Sequence, residues 1–217
     1  MYQFSFNIFT KPTYNIDDFV VSSANLLAYS YIEKWPDWGT HQLARILYIY
    51  GPQASGKTHL AHIFQQKSDS LFLEEITLLN ANMQNYILDD IENYLHDQQA
   101  IFHLINQVIE NNSYLLITAR FSPGNLPITL PDLASRLNSI PNVQIQEPDD
   151  DLLKTVLIKH FADRQLRINI EVINYILSRI ERSFTSMYEI VELIDKSALS
   201  LKRNITISFV KSLLEPK

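Results

Sequence analysis

Cysteine is absent from this 217-residue chain, which removes disulfide frameworks and thiolate metal sites and fits a reducing compartment. No apolar run approaches the ~20 residues of a membrane-spanning helix. Nor does the N-terminus carry a basic stretch followed by a long apolar one. A cytoplasmic protein with no membrane role is therefore expected. Positive charge is also scarce, with 18 Lys and Arg against 24 Asp and Glu and a formal charge of −6. The deficit lies in residues 1–148, which hold 7 basic and 14 acidic residues, while residues 149–217 hold 11 and 10. That balance argues against a broad phosphate-binding face, so no sequence-specific DNA binding is expected. Glycine is rare too. There are only four, and two of them, Gly51 and Gly56, stand five positions apart.

Those two glycines belong to Gly51-Pro52-Gln53-Ala54-Ser55-Gly56-Lys57-Thr58, a G-x-x-x-x-G-K-[ST] run. Ile46-Leu47-Tyr48-Ile49-Tyr50 before it reads as a buried strand, and His59 to Gln66 after it has apolar residues at helical spacing. Strand, glycine-bearing turn and helix is the context this motif requires. Backbone N–H groups of Pro52–Thr58 other than proline's can turn inward around a phosphate, aided by the helix N-terminus. Lys57 is placed to reach the β- and γ-phosphates, and the Thr58 hydroxyl to ligate Mg²⁺. An adenine nucleotide, ADP or ATP, with Mg²⁺ is the expected ligand set.

Further along, Ser70 to Glu74 reads as a second strand, and Tyr86-Ile87-Leu88-Asp89-Asp90-Ile91-Glu92 as an apolar strand ending in carboxylates. Asp89 is the candidate to hold Mg²⁺ through water beside Thr58, and Asp90 to orient an attacking water. Ser113 to Thr118 is another buried strand, whose terminal hydroxyl, Thr118, falls where strand ends meet a ligand crevice. Val143 to Gln146 is the last strand. Helices are expected over about 23–34, 97–111 and from Pro131. From Asp149 the pattern is helical only, over about 149–163, 170–181, 185–202 and 206–214. His59 and His62 are spaced i, i+3, but without an evident third ligand they read as packing or surface residues. At the N-terminus Tyr2, Phe4, Phe6 and Ile8 alternate, consistent either with an edge strand or with a short motif that inserts into a partner.

These residues also carry a family resemblance. Asp18-Phe19-Val20-Val21 with Asn25-Leu26-Leu27-Ala28, Gly56-Lys57-Thr58-His59-Leu60, Leu115-Leu116-Ile117-Thr118, Leu130-Pro131-Asp132-Leu133-Ala134-Ser135-Arg136-Leu137 and Thr206-Ile207-Ser208-Phe209-Val210-Lys211 together resemble the AAA+ module of the DnaA family, and most closely its short Hda-type regulators. The resemblance implies a three-layer α/β P-loop AAA+ domain with a five-stranded parallel sheet over residues 13–148. It implies a small all-helical lid over 149–217 and an N-terminal arm over 1–12. Phe19, Val20 and Val21 would then lie by the adenine, with Pro52 to His59 around the phosphates. Arg136 would be an arginine finger acting on a neighbour's nucleotide. Gln3, Phe4, Phe6 and Ile8 would dock on the DNA polymerase III sliding clamp. DnaA and the clamp are the implied partners, and a homo-oligomer is compatible with the resemblance.

The chain departs from that family at three places. Arg120 stands where the family has Asp after its sensor-one strand, Thr185 aligns with the sensor-two arginine although Arg182 is near, and the segment before Asp89 is short. Weak or no self-catalysed hydrolysis follows. The expectation is a nucleotide-binding regulator of replication initiation that promotes hydrolysis of DnaA-bound ATP. The alternatives are a small P-loop phosphotransferase and a non-catalytic DnaA-like adaptor.

Overall fold

The computed structural model describes residues 14, 16–76 and 85–214. Strands β1 (Ile46–Tyr50), β2 (Leu71–Phe72), β3 (Tyr86–Leu88), β4 (Leu115–Ala119) and β5 (Asn142–Gln144) form one sheet in the order β2-β3-β4-β1-β5. Every pairing is parallel, with Ile46 opposite Leu115 and Tyr48 opposite Asn142. A parallel sheet needs helices on both faces, so its central strands carry unbroken apolar runs. Here β1 reads Ile-Leu-Tyr-Ile-Tyr and β4 reads Leu-Leu-Ile-Thr-Ala. Alternation then sorts the side chains by face. Ile46, Tyr48, Leu115 and Ile117 pack with Ile101, Leu104 and Ile105 of α3 (Gln98–Glu110) and with Leu133 and Leu137 of α4 (Pro131–Ser139). Leu47, Ile49 and Leu116 pack with Ala28 and Ile32 of α1 (Leu26–Lys34) and with Leu60, Ile63 and Phe64 of α2 (Lys57–Ser68). Trp38 and Trp35 close this second layer against Phe64 and Tyr114.

Strands β2 and β3 fall furthest short of the lengths their sequence pattern predicts, and both ends have a physical cause. β3 stops at Leu88 because Asp89 turns its carboxylate to two threonine hydroxyls and Asp90 adopts a left-handed φ of 52°. Ile91 to Tyr94 then form a short 3-10 helix instead of more strand. β2 keeps only two residues because it pairs with β3 alone, although Leu73 N–H still reaches the Ile87 carbonyl at 2.9 Å.

Four helices follow: α5 (Asp150–Asp163), α6 (Ile170–Leu177), α7 (Phe184–Leu201) and α8 (Ile207–Leu214). Asp149 caps α5 through the Leu152 N–H, and Ser183 caps α7 through the Ser186 N–H. Leu157, Phe161, Ile176, Val191 and Ile194 form their own core, so this unit is a second, helical one. It meets the first where Ala24, Leu152 and Phe184 pack together. Lys159 Nζ pairs with Asp18 at 2.7 Å, and the Ser23 hydroxyl donates to Asp149 Oδ2 at 3.1 Å. Among the described residues no helix is long and apolar enough to cross a membrane.

Candidate functional site: the phosphate loop and the strand ends beneath it

The loop between β1 and α2 lies at the carboxyl ends of the strands, where an open parallel sheet offers a crevice. Both glycines are required by space or angle. A Cβ on Gly51 would meet the Ile145 carbonyl oxygen at 2.7 Å. Gly56 has φ +90°, and a Cβ there would meet the Phe19 ring at 3.0 Å. Ala54 also takes a left-handed φ, 62°, which turns the loop between Pro52 and Ser55. Pro52 is half-buried while Gln53 and Ala54 are exposed at the loop's tip. The Ser55 hydroxyl is buried with no hydrogen-bond partner among the described residues. Lys57 is 6% exposed, and its ammonium donates to the carbonyls of Gly51 at 3.0 Å and Pro52 at 2.8 Å. Burial lowers the Lys57 pKa, while the carboxylates of Asp90, Glu92 and Asp89 pull it back up.

Beneath the loop the predicted carboxylates and hydroxyls form one connected network. Thr58 donates its hydroxyl to Asp89 Oδ2 at 2.9 Å, and Thr118 donates to Asp89 Oδ1 at 2.6 Å. Thr118 Oγ1 in turn accepts the Asp90 N–H at 2.8 Å. Thr118 is fully buried, so its hydroxyl orients both aspartates. Burial first, then the neighbouring Asp89 charge, raises the Asp90 carboxyl above the usual carboxylate range.

Glu92 belongs to the same constellation, and sequence reasoning missed it. Its Oε1 accepts the N–H groups of Arg120 at 2.6 Å and Phe121 at 3.4 Å, while Oε2 is buried without a partner among the described residues. Tyr48, on β1, donates its hydroxyl to the Phe121 carbonyl at 2.8 Å. Burial, and then the nearby Glu92 charge, raises the Tyr48 pKa, keeping that phenol a donor. A carboxylate four residues past a strand end is a weak signal, because such positions also sit in ordinary helical turns.

On the other side of the loop, Phe19 stacks on Tyr29 at 5.9 Å and meets the His59 ring edge-on at 5.2 Å. Val20 packs against Ala24, Leu152 and Phe184, and its carbonyl accepts from Asn25 Nδ2 at 2.9 Å. Val21 is 41% exposed. His62 stacks on Tyr14 at 4.1 Å, and no group of three ligating residues able to hold a metal exists among the described residues. The histidine pair is thus built into aromatic packing.

Arg136 is elsewhere, in the last turn of α4, half-buried with its guanidinium 5.9 Å from the Phe102 ring centre. It forms no ion pair among the described residues. Thr185 lies in the first turn of α7, and the exposed Arg182 is held by Asp150 through bonds of 2.6 and 3.3 Å. Gln3, Phe4, Phe6 and Ile8 lie outside the described residues.

The donor set fits a nucleotide with Mg²⁺. The loop takes a path that only glycine permits at Gly51 and Gly56, it holds a buried hydroxyl, Ser55, without a partner among the described residues, and Thr58 shares a carboxylate with Thr118. Mg²⁺ binds through one or two carboxylates plus phosphate oxygens and water.

Four likenesses to known proteins bear on what this arrangement is. Domain III of the Thermotoga maritima replication initiation protein DnaA superposes with a TM-score of 0.76 at 18% identity, over 94% of this chain and 96% of that one. AMPPCP-bound DnaA from Aquifex aeolicus gives 0.68 at 20% identity, over 90% and 69%. An uncharacterized protein of Haemophilus influenzae is 32% identical over 185 residues, 77% of this chain and 80% of its own. The family model of the Hda lid domain matches residues 149–214. The five-stranded parallel sheet, its phosphate loop and the helical unit behind it define an AAA+ module. Residues 149–214 belong to the Hda lid-domain family, the chain shares a family with the Haemophilus influenzae protein, and its fold is that of the DnaA AAA+ module.

Proposed function

We propose that this chain is a DnaA-related regulator of replication initiation that binds an adenine nucleotide in the 51–58 loop and promotes hydrolysis of DnaA-bound ATP through Arg136. The observation that carries the reading is the shared carboxylate of Asp89, joined to Thr58 and Thr118 directly below a loop shaped by Gly51 and Gly56. The match of residues 149–214 to the Hda lid domain supports the regulatory half of it.

Within that reading, the backbone of Gln53 to Thr58 and the Lys57 ammonium hold the phosphates, which requires Lys57 to exchange two carbonyl partners for phosphate oxygens. Thr58 and Asp89 would hold Mg²⁺, whose charge offsets that of the phosphates. Thr118 keeps Asp89 and Asp90 in place, and Asp90 orients water. Phe19, Val20 and Val21 border the base, and His59 stays with the loop around the phosphates. The finger role of Arg136 is supported by its half-exposed place in α4 and by the lack of an ion pair for it among the described residues. The arm at Gln3, Phe4, Phe6 and Ile8 is proposed to tether the protein to the sliding clamp.

The test is to titrate ADP and ATP into the protein and then measure DnaA turnover on clamp-loaded DNA. Arg136→Ala should leave nucleotide affinity within about twofold and reduce stimulation by ~10³-fold or more, the scale of arginine fingers elsewhere. Stimulation that survives the substitution removes the finger. In a clamp pull-down, Gln3→Ala with Phe6→Ala should abolish retention; unchanged retention removes the arm from the proposal.

A further inference from the structure

A buried asparagine beside the phosphate loop makes bonds that none of these roles uses. Asn25, the residue before α1, is only 4% exposed. Its Nδ2 donates to the Val20 carbonyl and its Oδ1 accepts the Ser22 N–H, both at 2.9 Å. Its own N–H donates to the Ser22 carbonyl at 3.2 Å. A buried side-chain amide paired at both ends pins the backbone it bonds, here residues 20–22. Of those three residues, only Val21 keeps both its N–H and its carbonyl without a hydrogen bond among the described residues. Val21 is also open to solvent. The stretch that carries it runs from the phosphate loop to the helical unit. At one end the Phe19 ring stands 3.0 Å from where a Cβ on Gly56 would be. At the other, the Ser23 hydroxyl bonds Asp149 and Ala24 packs with Leu152 and Phe184. Under the reading above, the base of a nucleotide held by its phosphates lies along this stretch.

We propose that Asn25 is a positioning residue for base selection: it holds residues 20–22 so that the Val21 N–H and carbonyl form a fixed donor and acceptor pair that accepts adenine and rejects guanine. This rests on the nucleotide-binding reading above and adds the residue that sets which base is taken. Adenine offers a ring acceptor beside an amino donor, whereas guanine carries an oxygen acceptor in place of that amino group. A fixed pair faced with guanine leaves its carbonyl opposite another oxygen, with no bond to either. A loose stretch could turn its peptide groups to suit both bases. The two side-chain bonds of Asn25 remove that freedom before the ligand arrives, which is the gain from preorganisation.

The experiment titrates ADP, GDP and inorganic pyrophosphate, each with Mg²⁺, into the full chain as wild type, Asn25→Ala and Asn25→Asp. The second variant keeps the shape and the acceptor for Ser22 but loses the donor to Val20. Thermal melting without ligand reports whether each variant keeps its fold. Wild type should bind ADP at least about tenfold more tightly than GDP. Both variants should lose about five- to tenfold in ADP affinity, the worth of one well-placed hydrogen bond, while GDP and pyrophosphate change less than about twofold. In the wild type, NMR should show the Val21 amide hydrogen exchanging more slowly with ADP and unchanged with pyrophosphate. Equal losses of ADP and pyrophosphate affinity, or ADP affinity unchanged in a variant that folds, overturn the positioning role. A Val21 amide that exchanges as fast with ADP as without it overturns it too, whether or not the variants fold. Wild type that binds GDP as tightly as ADP removes base selection and leaves the phosphate reading standing. Wild type that binds neither ADP nor pyrophosphate overturns the nucleotide-binding reading and this inference with it.

Discussion

Thr118 shows how much one hydroxyl can hold. It is fully buried, donates to Asp89 and accepts from the backbone of Asp90. Thr118→Val keeps the shape but strands a part-buried carboxylate oxygen and an N–H. Unmade bonds of that kind cost roughly 2–4 kcal/mol together. Urea unfolding of the variant should show that loss, and Mg²⁺-dependent nucleotide affinity should drop with it. An unchanged midpoint would mean the aspartates hold their places without the threonine. At this scale the sequence was readable where a residue type has one chemical use in its setting. Gly56, Lys57, Thr58 and Asp89 stand in a strand–turn–helix context that names their partners. Glu92 and Tyr48 were not legible, because a carboxylate or a phenol on an apolar element declares its partner only once distant backbone has been brought to it, 28 residues away for Arg120 and 73 for Phe121.

Among the elements, α5 and α7 carry a pH response. His160, on α5, lies 4.5 Å from the Tyr188 ring on α7. Burial, and then the nearby Arg164 charge, push its pKa from 6.5 down to about 4. The folded state therefore refuses a proton that the unfolded chain accepts. Stability is fully present above pH ~6.5 and is lost as pH falls from there toward ~4, by up to about 3 kcal/mol. Denaturant midpoints measured from pH 7.5 to 4.5 should fall, and His160→Phe should flatten the part of that slope due to this ring. The helices themselves were legible from apolar spacing and caps, as with Asp149 and Ser183. Strand ends were not. β3 ends at Leu88 because Asp89 and Asp90 serve the site, and a run of apolar letters followed by acids does not reveal where the ladder stops.

For the whole molecule, the join between the two units combines a small apolar cluster, Ala24 with Leu152 and Phe184, with one partly exposed ion pair. The Lys159–Asp18 pair spans 141 positions in sequence, and both side chains are about 30% exposed, at 28% and 32%. Such a pair is worth under ~1 kcal/mol. Lys159→Ala should hardly move the unfolding midpoint, yet amide exchange over residues 16–25 should quicken while β1 and β4 stay protected. Equal protection in that segment would show that Ala24, Leu152 and Phe184 secure the join unaided. The α/β class, the parallel sheet and the helical second unit were all visible in the order of apolar patterns. The path by which residues 16–25 reach α5 was not, because it depends on contacts that no local pattern encodes.

The placement of the two indoles has an optical consequence. Trp35 and Trp38 both lie against Phe64 and Tyr114 in the first unit, and the second unit has no tryptophan. Emission excited at the red edge therefore reports melting of the sheet-bearing half alone, whereas ellipticity at 222 nm also counts the four helices behind it. Where the two traces separate, the halves come apart in succession; where they overlay, the contacts between them suffice to make them one cooperative body.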